Sequence, residues 1–187
     1  MQYIRGIDNY KNTRPSAITL GKFDGLHQGH ELLIQRVIEH QDKDGVDGVV
    51  FAFHMGQDFL MTNEEKAERL RDRIAYFIDC PFEKRIASIE AEAFIKDILV
   101  GKFHARYIVI GTDFRFGYQK RGDYRMLQKY SEQYGYQVEV VDKKCYCGRE
   151  ISSSYIKEEL KAGNMELANI LLGYECTENM KKHFDIV

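Results

Sequence analysis

Gly21-Lys22-Phe23-Asp24-Gly25-Leu26-His27-Gln28-Gly29-His30 follows the apolar run Ala17-Ile18-Thr19-Leu20 and leads into a stretch with Leu32, Leu33, Val37 and Ile38 at helical spacing. A strand, a glycine-bearing turn and a helix start in that order form an anion site. Unpaired N–H groups and the positive end of the helix dipole face the same point. His27 and His30, three residues apart, can reach the same anion and donate to oxygens whose charge grows during phosphoryl-type chemistry. The stretch predicts a phosphate site at the end of a first strand, with His27 and His30 as the candidate catalytic pair. Gly21, Phe23, Asp24 and Gly29 shape the turn around it, and Lys22 stands beside it.

Outward from this motif, strand-like and helical patterns alternate. The spacing predicts a helix over about 29–41, a strand over 48–53 and a helix over about 63–78, then a weak strand at 85–88 and a helix at 90–100. A strong strand at 107–111, a helix at 125–135 and a strand at 137–141 follow. Strands joined by crossover helices pair in parallel and are covered on both faces, which makes the class α/β and Rossmann-like. After Val141 a hairpin or loop (142–150) leads to two short helices, 153–162 and 165–172, forming a helical C-terminal appendage. Residues 174–187 read as a tail, and no linker or repeat divides the chain, so one domain with its core in about 1–173 is expected.

The 187 residues carry 44% hydrophobic side chains, enough for one core of ordinary size, and a formal net charge of −2. Nothing in that charge favours nucleic acid as a partner. No apolar run approaches the roughly 18 residues of a membrane span, and the N-terminus lacks a secretion signal, so a cytoplasmic protein is expected. Cys80, Cys145, Cys147 and Cys176 lack the spacing of zinc or dithiol motifs and are assigned no function. No set of protein metal ligands stands out, and oligomeric state is not written in the sequence.

Two further stretches carry chemistry. Ile151-Ser152-Ser153-Ser154-Tyr155-Ile156-Lys157 opens a late helix. One serine would serve as a cap, but three hydroxyls with Lys157 one turn in also form a second cradle for a triphosphate. Ile110-Gly111-Thr112-Asp113-Phe114-Arg115-Phe116-Gly117 leaves the strongest strand. Phe114 and Phe116 are either core or a platform for a flat ring, with Asp113, Arg115 and Gly117 beside them. Neither the G-x-x-x-x-G-K-[ST] loop nor G-x-G-x-x-G occurs. The H-x-G-H start instead resembles that of nucleotidyltransferases acting at the α-phosphorus of a nucleoside triphosphate.

Taken in order, these motifs resemble the FAD synthetase family, the FMN adenylyltransferase module of bacterial bifunctional enzymes. The segment from Pro15 to His30, the stretch from Thr62 to Leu70 (a T-x-x-E-K helix start), the D-F-R-F-G loop at Gly111–Gly117 and the S-S-T-x-I-R-like Ile151–Lys157 carry the resemblance. It implies a nucleotidyltransferase fold and the conversion of ATP and FMN to FAD and pyrophosphate, with Mg²⁺ on the triphosphate. His27 and His30 would steady the phosphates, Ser152, Ser153, Ser154 and Lys157 would grip them from the other side, and Asp113 to Gly117 with Lys22 would line the nucleotide and flavin pocket. Leu171-Leu172-Gly173 resembles the end of the module, before the family's riboflavin kinase barrel, so adenylyl transfer without riboflavin phosphorylation is expected. Lys22 replaces the family's usual Asn, Lys157 its Arg, and Phe51-Ala52-Phe53-His54-Met55-Gly56 its F-x-P-H-P. These departures leave two other readings open: a relative with a different phosphate acceptor, or a weakly catalytic flavin- or nucleotide-binding protein.

Overall fold

The computed structural model describes residues 1–54 and 59–184. Along the chain run β1 (Gln2–Arg5), β2 (Ser16–Gly21), α1 (Gln28–Asp44), β3 (Asp47–His54), α2 (Asn63–Leu70) and β4 (Tyr76–Pro81). Then come α3 (Lys84–Ala87), α4 (Ala91–Ala93), which continues as a π-helical segment Phe94–Val100, β5 (Ala105–Gly111), and the short ribbon β6 (Arg115–Phe116) and β7 (Gly122–Asp123). The last third holds α5 (Tyr124–Tyr134), β8 (Gln137–Val141), the hairpin β9 (Cys145–Tyr146) and β10 (Arg149–Glu150), then α6 (Ser153–Lys161), α7 (Met165–Leu172) and α8 (Glu178–His183).

Six strands form one parallel sheet in the order β1-β4-β3-β2-β5-β8. The expected Rossmann-like α/β architecture is therefore present. Each central strand is buried on both faces, and residue parity divides the core. Val49 and Phe51 of β3 join one cluster with Ile95, Leu99 and Leu127, while Val50 and Ala52 join another with Leu70, Ile156, Leu160, Leu171 and Met180. The C-terminal helices thus pack on the face that also holds α2. From β2 the chain order runs outward through β3 to β4 on one side and through β5 to β8 on the other. The carboxyl ends of β2 and β5 are therefore the switch point, where such sheets leave a crevice.

Several elements differ from their sequence expectations. The helix expected over 63–78 stops at Leu70, because Asp72 takes a left-handed φ of 61° and the chain returns as β4, with Phe77 and Ile78 buried on opposite faces. In place of the strand expected at 85–88 stands the helix α3, Lys84–Ala87 with Ser88 as its C-cap, of which only Ile86 is buried. The edge strand β1 was not anticipated; four half-polar residues leave too little pattern to read. The expected tail is structured as far as residue 184: α8 is capped by Thr177, and Cys176 and Met180 are buried. Residues 185–187 of that tail lie outside the described residues.

Candidate active site

The turn after β2 is bent tightly. Phe23 and Leu26 adopt left-handed φ values of 49° and 40°, and Gly25 sits at 80°. A side chain at Gly25 would stand 2.8 Å from Leu60, so this position requires glycine both conformationally and sterically. The strain is held by burial, since Phe23 is fully enclosed. This turn delivers His27 to the N-cap of α1, where its Nδ1 accepts the Gly29 N–H at 3.2 Å. The proton of the neutral ring accordingly resides on Nε2.

The rings of His27 and His30 stack with centroids 3.7 Å apart, and Phe23 lies 5.0 Å from His30. Burial pushes the His27 pKa down to about 4, with the Asp24 carboxylate opposing. His30 is held well below the ordinary histidine value, first by burial and then by His27 and Lys66. Both rings are therefore neutral at pH 7. The Nδ1 of His30 is shut away from solvent without a hydrogen-bond partner among the described residues.

The start of α6 closes on the same turn. Ser152 caps the helix, its Oγ accepting the Tyr155 N–H, and the Ser153 hydroxyl donates to the Asp24 carbonyl at 2.9 Å. Asp24 is a hub: one carboxylate oxygen accepts the Leu60 N–H at 2.6 Å and the other pairs with Lys157 at 3.0 Å. That ion pair is largely enclosed, with side-chain exposures of 15% for Lys157 and 13% for Asp24. Ser154 remains exposed.

Between the two helix starts lies a cleft of about 390 Å³ along the carboxyl edge of the sheet. The turn after β2 contributes Lys22, Asp24 and His27, the first turn of α1 contributes Gly29 and His30, and the α6 cap Ser152 is followed by Ser153, Ser154 and Lys157 of the helix itself. From the end of β5 come Gly111 and Asp113; Lys143, in the loop after β8, bridges Asp113 at 3.0 Å and Glu150 at 2.7 Å. The remaining stretch of the D-F-R-F-G loop is placed elsewhere. Phe116 is 5% exposed and stacks on Phe114 and Phe94 in the core, Arg115 lies exposed against the Phe114 carbonyl, and Gly117 presses on Ala91 so closely that a Cβ would meet its backbone at 2.5 Å. Phe114, Arg115, Phe116 and Gly117 are not among the residues that line the cleft in this structure: of the two readings left open for the rings, Phe116 takes the core one, and Phe114 is half-buried against it.

Sequence reasoning reached one wall only in part, through the altered segment 51–56 and the Thr62–Leu70 motif, without singling out Phe59 or Lys66 as site residues. Phe53 and His54 at the end of β3, Phe59, and Lys66 on α2 face the cleft. Lys66 is 4% exposed. The available signal was the helix face Asn63, Lys66, Leu70, which places a lysine on the same stripe as a core leucine. Within the altered segment 51–56, Met55 and Gly56 lie outside the described residues.

A crystal structure of a protein described as a macrolide-efflux protein from Streptococcus pneumoniae superposes with a TM-score of 0.81, covering 94% of this chain and 60% of that one at 24% identity. The parallel sheet, its switch-point cleft and this structural likeness define a Rossmann-like α/β protein. A family model described as FAD synthetase matches residues 9–155, and the chain belongs to the FAD synthetase family. Among curated relatives, a bifunctional riboflavin kinase/FMN adenylyltransferase of Escherichia coli (strain K12) is 33% identical over 187 residues, covering 93% of this chain. A protein of the same description from Buchnera aphidicola subsp. Acyrthosiphon pisum is 34% identical over 185 residues, covering 92%. The chain spans about 60% of the length of these curated relatives. No helix among the described residues is long and apolar enough to cross a membrane.

Proposed function

We propose that this chain transfers the adenylyl group of ATP to the phosphate of FMN, giving FAD and pyrophosphate. The observation that carries this reading is the stacked, neutral His27–His30 pair at the start of α1, facing the hydroxyl-lined start of α6 across one switch-point cleft. An FMN phosphate oxygen attacks the α-phosphorus, the α–β bridging bond breaks, and pyrophosphate leaves with the electron pair. No residue needs to form a covalent intermediate. Catalysis is positioning plus stabilisation of charge on the phosphoryl oxygens. His27 donates from Nε2, and the N–H groups of the α1 start add the helix dipole. Ser152, Ser153 and Ser154 offer hydroxyls from the other side, and Lys157, held by Asp24, adds a fixed positive charge.

Mg²⁺ would enter with the triphosphate and neutralise its oxygens. The described residues contain no cluster of three His, Cys, Asp or Glu able to hold a metal. Both Asp24 oxygens already have partners, and Asp113 is paired with Lys143. These donors fit an ion coordinated mainly by phosphates and water rather than a protein cage.

The test is to incubate the protein with ATP, Mg²⁺ and FMN and to follow FAD and pyrophosphate by chromatography, with a His30→Ala variant alongside. FAD formed by the wild type and slowed about 10²- to 10³-fold in the variant, the usual cost of one oxyanion donor, is the expected result. Absence of FAD from folded protein would overturn the reading; profiling of other phosphate acceptors then asks for a different substrate.

A further inference from the structure

Five lysines line the cleft, and they differ in how their charge is satisfied. Lys157 pairs with Asp24 at 3.0 Å, Lys143 is bridged by Asp113 and Glu150, and Lys22 is solvent-exposed, as is much of Lys144. Lys66 is different. It is 4% exposed, yet among the described residues no carboxylate stands at ion-pair distance from it. Its ammonium donates to Asn63 Oδ1 at 3.1 Å, and the Asn63 amide in turn meets His54 Nδ1 at 3.4 Å. Asp24 and Asp79, the acidic groups whose field reaches it, serve other cations: Asp24 serves Lys157 and Asp79 serves Arg5, at 3.6 Å.

Burying an ammonium without a counter-charge is costly, and one neutral amide satisfies only one of its three donors. Burial accordingly lowers its pKa. The side chain nevertheless opens onto the cleft rather than into the apolar core. Its backbone is well fixed: Thr62 and Glu65 form a reciprocal capping box at the start of α2, one turn before Lys66. A rigid, buried, unpaired cation on a cleft wall is an incomplete ion pair whose other half is a ligand.

Resting on the reading that this cleft handles phosphates, the geometry points to a phosphate subsite on the β3–α2 wall, in which Lys66, oriented by Asn63, pairs directly with a phosphate oxygen. Two sources share that chemistry: the triphosphate of the donor and the monoester of the acceptor. Either would supply the counter-charge that the protein itself withholds.

Calorimetric titration of the wild type and a Lys66→Met variant with ATP, inorganic pyrophosphate, FMN and the phosphate-free control riboflavin tests this. Loss of roughly 10- to 100-fold in affinity for a phosphorylated ligand is expected, with riboflavin binding equal in the two proteins. A loss confined to ATP and pyrophosphate assigns the subsite to the donor; one confined to FMN assigns it to the acceptor. Equal affinities of both proteins for all three phosphorylated ligands overturn the subsite, as does an equal loss for riboflavin. If the Met variant does not fold, Lys66→Gln replaces it, judged by its circular dichroism. Wild-type protein that binds phosphates through Lys66 but makes no FAD would defeat the adenylyl-transfer reading and leave the subsite standing. FAD synthesis with unchanged binding in the variant would do the reverse.

Discussion

His27 is held in two ways at once: its Nδ1 accepts the Gly29 N–H, and burial drives its pKa from 6.5 to about 4. A folded-state pKa below the unfolded value means that folding favours the neutral ring. That contribution is complete above about pH 6.5 and is lost progressively as pH falls to about 4, because the unfolded chain takes up the proton first; the total loss is about 3 kcal/mol. A His27→Asn variant keeps an N-cap acceptor and removes the titration. Urea unfolding at several pH values across this window is therefore expected to show a steep acid loss of stability in the wild type and a shallower one in the variant. Parallel curves would mean that His27 is not the group responsible. His30 shifts in the same direction, so the slope that remains in the variant includes its share. At this scale the histidines and serines were legible because glycines and helix starts marked them. Lys66 was far less so, because N-E-E-K-A-E-R-L reads as a solvated helix in which the stripe shared with Leu70 is the one hint that its third charged position is interior.

The elements that shape the cleft are fastened by Asp24, which joins the turn after β2, the segment before α2 and the start of α6. Asp24 holds both an enclosed ion pair and a backbone hydrogen bond, so weakening it costs on the order of 1–3 kcal/mol. Asp24→Asn is expected to destabilise by that order, and the double variant Asp24→Asn with Lys157→Met by clearly less than the two single losses combined. A coupling near zero in the denaturation cycle would show that the pair is energetically idle. Element boundaries were the least legible feature. The periodicity of α2 runs on through Arg71, Asp72 and Arg73, and only the demand for another buried parallel strand beside β3 converts residues 76–81 into β4. Nothing local distinguishes the π-helical Phe94–Val100 from an α-helix; its apolar residues suit either.

Across the whole molecule, the C-terminal segment is built into both core and cleft. The Tyr174 hydroxyl donates to the Gly25 carbonyl, the Arg69 guanidinium lies 3.5 Å over its ring, and Thr177 and Asn179 donate to the same Glu65 that closes the α2 capping box. Met180→Ala, removing a side chain only 1% exposed, is expected to cost about 2–5 kcal/mol. A shift in the urea midpoint checks this; an unchanged midpoint would mean that α8 contributes nothing to the fold. The α/β class was legible from alternation alone, whereas the integration of 174–184 was not, because its few apolar residues, Tyr174, Cys176, Met180 and Phe184, are spaced by polar ones.

The closing contacts are also far apart in sequence: Ser153 reaches Asp24 across 129 residues, Thr177 reaches Glu65 across 112, and Tyr174 reaches Gly25 across 149. During synthesis from the N-terminus, β1 to β8 emerge from the ribosome before α6 does. A nascent chain with its complete sheet thus still lacks one jaw of the cleft. On the proposed reading, ligand affinity is expected to arrive only once α6 to α8 have joined the sheet, so that binding reports a closed cleft rather than a complete sheet alone.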